Sequence, residues 1–247
     1  MEESESMEIG PRVILWFDEE FPIKWLRGVE INESAFFAIL VGIAMVIFAI
    51  VSTRKMKRDP KGIQGVAEAI VESIYNLVKS NMGVERLMFA PLIGTLFIFL
   101  AFSSAIGLFG FRAVTADMNA TFAMSIMIFF VIQGAGIRKK GIGGYLHGFI
   151  EPYPFMFPIK FMEEFTLPIS LAFRLFGNIF AGVFIIELIM EGLHWVSESL
   201  VHLPIPIFQT ILPLPLNMFF DIFEPFLQAF VFSMLSMAFI VKGMSKH

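Results

Sequence analysis

The sequence predicts an all-α membrane protein with about five crossings, and three observations predict it. Of 247 residues, 57% are hydrophobic and only 16% charged, against roughly 25% charged in an average soluble domain. Several apolar runs reach the ~20 residues that a helix needs to span hydrocarbon. Basic clusters recur just beyond these runs: Arg54, Lys55, Lys57, Arg58 and Lys61; then Arg138, Lys139 and Lys140; then Lys242 and Lys246. Cysteine is absent, which excludes disulfides and thiolate metal sites.

Residues 1–33 read as a polar, acidic segment, and its opening Met1-Glu2-Glu3-Ser4-Glu5 is unlike a secretory signal. Its rings Trp16, Phe17, Phe21 and Trp25 suit a membrane interface. Residues 34–247 read as one transmembrane helical domain. The first span covers about Ser34 to Ser52, and residues 62–85 form a short amphipathic helix. Spans two and three cover about Phe89 to Phe109 and Asn119 to Ile137, with Pro91 tolerated in a first turn. Glycine-rich 141–148 and proline-rich 152–158 read as loop.

Two long C-terminal helices follow, expected to form a strongly tilted hairpin. Lys160 to Met190 would be about 45 Å long, beyond the ~30 Å of hydrocarbon, so it must tilt or kink. The segment from Ile207 to Val241 is also over-long and is interrupted by Pro213, Pro215 and Pro225. Between them lies a loop with His194, His202, Pro204 and Pro206. An N-terminus outside the cell places all three basic clusters, and the C-terminus, on the cytoplasmic side.

Arg174 lies in the middle of the fourth span. Its guanidinium stays charged at any accessible pH, at a cost of ~2.5–3.5 kcal/mol or more at membrane depth, so it signals function. Ser170 and Asn178, four residues either side, share its face, while Gly177 and Gly182 remove bulk and let another helix approach. On the last helix Asp221 and Gln228 are seven apart and nearly aligned, with Glu224 about 60° off. Buried carboxylates and an amide need water or partners, so this combination suits the wall of an aqueous half-channel. Pro225 cannot donate to the Asp221 carbonyl, which loosens the helix there. The competing structural reading pairs Arg174 with Asp221 or Glu224 of its own chain. Glu187 and Glu191, at i and i+4, are candidates for an outer path, with a solvated helix end the rival for Glu191. Glu163 and Glu164 suit the dipole at a helix start.

Three ordered stretches resemble one family. Ser170-Leu-Ala-Phe-Arg-Leu-Phe-Gly-Asn-Ile-Phe-Ala-Gly182 is similar to the signature of subunit a of the F-type ATP synthase. Thr115-Ala-Asp117-Met-Asn119-Ala-Thr121 resembles its T-A-D-x-N-x-T, and Leu227-Gln-Ala-Phe-Val-Phe232 resembles its last-helix motif. The resemblance implies a stator that faces a ring of c subunits, held with subunit b and the rest of the F1Fo complex in a bacterial inner or plasma membrane. It implies Arg174 as the essential arginine, opposite Gln228. Asn178, Glu187, Asp221, Glu224 and Gln228 would line two half-channels that do not meet, with Asp117, Asn119 and Ser170 as supporting polar groups. Protons are the expected cargo, with Na⁺ left open; no cofactor, metal or nucleic acid is expected. The chain has no G-x-x-x-x-G-K-[S/T] and so no P-loop of its own. Val183 stands where many members carry Glu or His, so Glu187 is expected to take that place; Leu167 and Val114 also depart from common family residues.

A secondary transporter binding an anionic substrate at Arg174 is the alternative. It calls for duplicated halves, and the sequence shows none.

Overall fold

The computed structural model describes residues 13–16, 30–54, 56–109, 111, 113–150, 153–196, 215 and 218–245. In chain order these form strands β1 (Val13–Trp16) and β2 (Glu30–Asn32) and helices α1 (Glu33–Thr53), α2 (Ile63–Met82), α3 (Ala90–Ala105), α4 (Met118–Ile150), α5 (Phe157–Val196) and α6 (Glu224–Met244). Short 3₁₀ turns flank α3 on both sides. Five of the helical stretches are long and apolar enough to cross a membrane; α2, the amphipathic one, is not among them.

Packing makes sense only against lipid. On α1 the outward side chains Ile39, Ile43, Val46, Ile47, Ile50 and Val51 are all more than half exposed. In water that surface would aggregate; in hydrocarbon it is the natural exterior, since every helical backbone group is already satisfied. The interior is a bundle of α3, α4 and α6, in which Ile93, Leu100, Ile128, Phe232 and Ile240 are completely buried. Lipid is as apolar as leucine, so close packing rather than water exclusion must hold such helices together. Small residues supply it. A methyl on Gly136 of α4 would stand 3.2 Å from the Gly243 carbonyl oxygen of α6, and one on Gly94 of α3 would stand 2.9 Å from Ile74 of α2.

Three features differ from the sequence reading. Residues 13–16 and 30–32, read as part of a polar interfacial segment with no element assigned, pair as an antiparallel two-stranded ribbon; Phe17, Phe21 and Trp25 lie outside the described residues. Of residues 141–148, expected as loop, all but Gly141 are helical, and the helix continues to Ile150. Gly141, at φ 73° and ψ 163°, breaks α4 in a conformation that favours glycine. The following turn folds back, with the Tyr145 ring 3.2 Å from the position of a methyl on Gly136. The rings and hydrogen bonds of that turn outweigh its glycines' low helix propensity. Finally, α5 runs 40 residues with Pro168 inside it. At roughly 60 Å it exceeds the bilayer core by more than the expected Lys160–Met190 helix does.

Both C-terminal helices are present, but each packs chiefly on other partners, α5 along α4 and α6 along α3 and α4. The connection between them, with His202, Pro204, Pro206 and Pro213, lies outside the described residues. Ahead of α6, Phe219–Phe223 form a π-turn in which the Glu224 N–H reaches the Phe219 carbonyl five residues back. Pro225 has no N–H for the Asp221 carbonyl, and the helix widens at that place.

Candidate functional site

Helix α5 carries its two faces side by side. Leu171, Ala172 and Leu175 are buried against the bundle, and Phe173 meets Phe122 of α4 edge-on at 5.9 Å between ring centres. Arg174 sits beside this stripe, near the middle of the helix, and is exposed. Among the described residues no carboxylate pairs with it. The own-chain salt bridge to Glu224 is therefore not formed. Ser170, one turn back, is exposed as well, and Gly177 opens on the same side, where a methyl would meet nothing within 4 Å. The opening expected from both glycines thus divides: Gly177 faces free space, and only Gly182 admits a neighbouring helix.

That neighbour is the start of α6. A methyl on Gly182 would stand 2.8 Å from the Phe220 ring and 3.3 Å from Glu224 Oε2. Glu224 is half-buried there, and its side chain lies against α5. One turn from Arg174, Asn178 Nδ2 donates to Gln228 Oε1 at 2.9 Å, which joins α5 to α6. Gln228 is buried, at 4% exposure, and its Nε2 finds no acceptor among the described residues. A buried amide that has used only its oxygen retains donor capacity next to a fixed cation.

The backbone of Asp221 lies in the π-turn; its side chain lies outside the described residues. The wider turn also means that the offset from Asp221 to Gln228 no longer follows the ~100° per residue of an α-helix. Glu187 and Glu191 are exposed on α5, and Glu187 is about 140° around the helix from Arg174. Asp117 is buried and caps α4: its Oδ1 accepts from the Asn119 N–H at 2.9 Å, which satisfies a free donor at the helix start. Thr115 shares a buried hydrogen bond of 2.9 Å with Ser104 of α3. The second motif thus pins the beginning of α4, with Asn119 itself exposed.

Sequence reasoning missed a second polar group. Gln133 of α4 donates to Glu164 Oε2 of α5 at 2.6 Å and accepts a hydrogen bond from the Tyr145 hydroxyl. Lys160 reaches the Gly148 carbonyl at 2.7 Å, and Glu163 pairs with Lys242 of α6. The expectation that Glu163 and Glu164 serve a helix start is thereby corrected: α5 begins at Phe157, leaving no acid in its first turn, and both acids tie α5 to other helices. A signal was available, since Gln133 is a lone amide inside an apolar span, a position that demands a partner.

Comparison with known proteins now decides the family. The sequence profile of the ATP synthase A chain family matches residues 35–241. The chain belongs to that family. The ATP synthase subunit a of Lysinibacillus sphaericus (strain C3-41) is 33% identical over 240 residues, covering 92% of this chain and 98% of the relative. That of Moorella thermoacetica (strain ATCC 39073 / JCM 9320) is 32% identical over 223 residues, covering 90% and 95%. The match runs from α1 into α6 and so covers the five described membrane-length helices, the one with Arg174 included.

Proposed function

We propose that Arg174 is the fixed charge past which a rotor's carboxylates move, with Asn178, Gln228, Glu224 and Asp221 on the proton path beside it. The chain is subunit a, the proton-channel stator of the Fo sector of an ATP synthase and a multi-pass membrane protein. The observation that carries the finer reading is the exposure of Arg174 in mid-helix, with no acid paired to it among the described residues. A permanent cation at that depth needs a partner, and its open flank leaves the partner to another subunit. A ring of c subunits, each with an acid, has the right chemistry; subunit b and the F1 sector complete the complex.

A rotor carboxylate must be neutral to face lipid, because an ionised acid there is costly. Near Arg174 its charged form is favoured and its proton leaves to one half-channel. The next carboxylate takes a proton from the other half-channel. Arg174 cannot relay a proton, so the two passages stay separate. One charge crossing 100 mV releases ~2.3 kcal/mol, which biases rotation. The Asn178–Gln228 bond supports this reading by holding α5 and α6 in register beside the arginine. The N-terminus faces outside in this reading, because that puts the basic clusters in the cytoplasm.

Arg174→Ala tests it: proton-driven ATP synthesis in inverted vesicles should vanish while the chain still inserts and assembles. Undiminished synthesis refutes the assignment. For the inlet, Asp221→Asn should slow proton flux more than Glu191→Gln in a fluorescence-quench assay; equal effects remove Asp221 from the path.

A further inference from the structure

We propose that the cleft between the turn just before α3, the middle of α4 and the end of α6 binds an anionic phospholipid, with its phosphate against Arg138 and Lys139. The cleft measures about 350 Å³ and is walled by Met88, Phe89, Val131, Ala135 and Met244, within the size range of ordinary small-ligand sites. Gly134 forms part of it, and a methyl there would meet nothing within 4 Å. Space and apolar walls suit part of an acyl chain.

Charge selects the headgroup. Arg138 and Lys139 line the same cleft and are both exposed. Neither has an ion-pair partner among the described residues, and no carboxylate lines the cleft. Both follow directly on the apolar run that ends at Ile137, so they stand at the level where hydrocarbon gives way to headgroups. Arginine offers a planar fork to phosphate oxygens and lysine a point charge. Basic pockets between membrane helices are suited to anionic headgroups for this reason. A free phosphate would gain nothing from the five apolar walls. A helix of a partner protein, about 10 Å wide, would overfill the cleft and leave both cations without an anion. The site stands apart from Arg174, so its fate does not depend on the reading of the proton path.

The test uses the assembled complex containing this chain, washed free of loosely held lipid in detergent. Phosphatidylglycerol or phosphatidylcholine is titrated back, and the lipid retained on this chain is counted by native mass spectrometry. The wild type should hold one phosphatidylglycerol in clear preference to phosphatidylcholine. Each cation is worth roughly fivefold in affinity, so Arg138→Gln with Lys139→Gln should weaken retention about 30-fold. Gly134→Leu keeps both charges but fills the cleft, and it should displace the lipid too. Millimolar inorganic phosphate should not compete. The proposal is overturned by equal retention of the two lipids, by retention unchanged in the double-glutamine variant, or by displacement with inorganic phosphate. Crosslinking from a photoreactive residue at position 134 to another protein rather than to lipid also overturns it. Should Gly134→Leu fail to assemble, the double-glutamine variant, which alters only exposed side chains, decides.

Discussion

In the α3–α4–α6 bundle even serines are sealed: Ser103, Ser125 and Ser233 are completely buried among Leu100, Ile128 and Phe232. Along one side of α5 the opposite holds, because Arg174 and Ser170 are exposed while Leu171, Ala172 and Leu175 beside them are buried. The same Phe- and Leu-rich composition thus builds a frame in one place and an open polar flank in the other. What separates them is contact. Three helices enclose the bundle, whereas α5 rests on α4 along one side and meets α6 near Asn178 and Gly182. A stator needs both: a part that resists torque and a face left free for something that moves.

The largest expected effects break this contrast outright. Arg174→Ala should end proton-driven synthesis without loss of assembled protein. Phe232→Ala, at the buried centre, should do the reverse, costing about 3–5 kcal/mol through the cavity it leaves. Thermal unfolding of the solubilised complex, read beside vesicle activity, separates the two; matching profiles for both variants would abolish the distinction between frame and flank.

Next come the two glycines of the signature. Gly182→Val would drive a side chain into Phe220 and should destabilise the subunit by about 1–3 kcal/mol. Gly177→Val meets open space, so stability should stay within about 0.5 kcal/mol while coupling falls, if that space receives the rotor. Activity equal to wild type in Gly177→Val would show that the flank is not a bearing surface.

Smaller still is the Asn178–Gln228 bond. A double-mutant cycle with Asn178→Ala and Gln228→Ala should return a coupling of about 0.5–1.5 kcal/mol in stability; additive effects would mean the bond does not tie α5 to α6. Least of all, Lys242→Gln should cost under ~1 kcal/mol, and less in high salt, because Lys242 and Glu163 are 64% and 60% exposed.

How much of this was legible in the sequence depended on the range of the physics involved. Spans one to three were readable because length and apolarity are local, and the structure has α1, α3 and α4 at those places. The weakness ahead of α6 was readable because Pro225 lacks one donor, and the π-turn sits where that donor is missing. The fold-back after Gly141 was not, since a glycine-rich stretch carries no local sign that Tyr145 will find Gln133 and Gly136. Nor were the partners of Glu163 and Glu164, which lie on α6 and α4.

By itself the sequence determined that this chain lives in a membrane, where its first three crossings fall, and that one permanent cation must stand among the helices, because hydrophobicity and ionisation belong to single residues. Only the tertiary structure decided that Gly182 and not Gly177 is a contact, that Asn178 holds Gln228, and that Arg174 is left facing outward. Those are facts about which helix faces meet, and they depend on the summed packing of residues far apart in the chain.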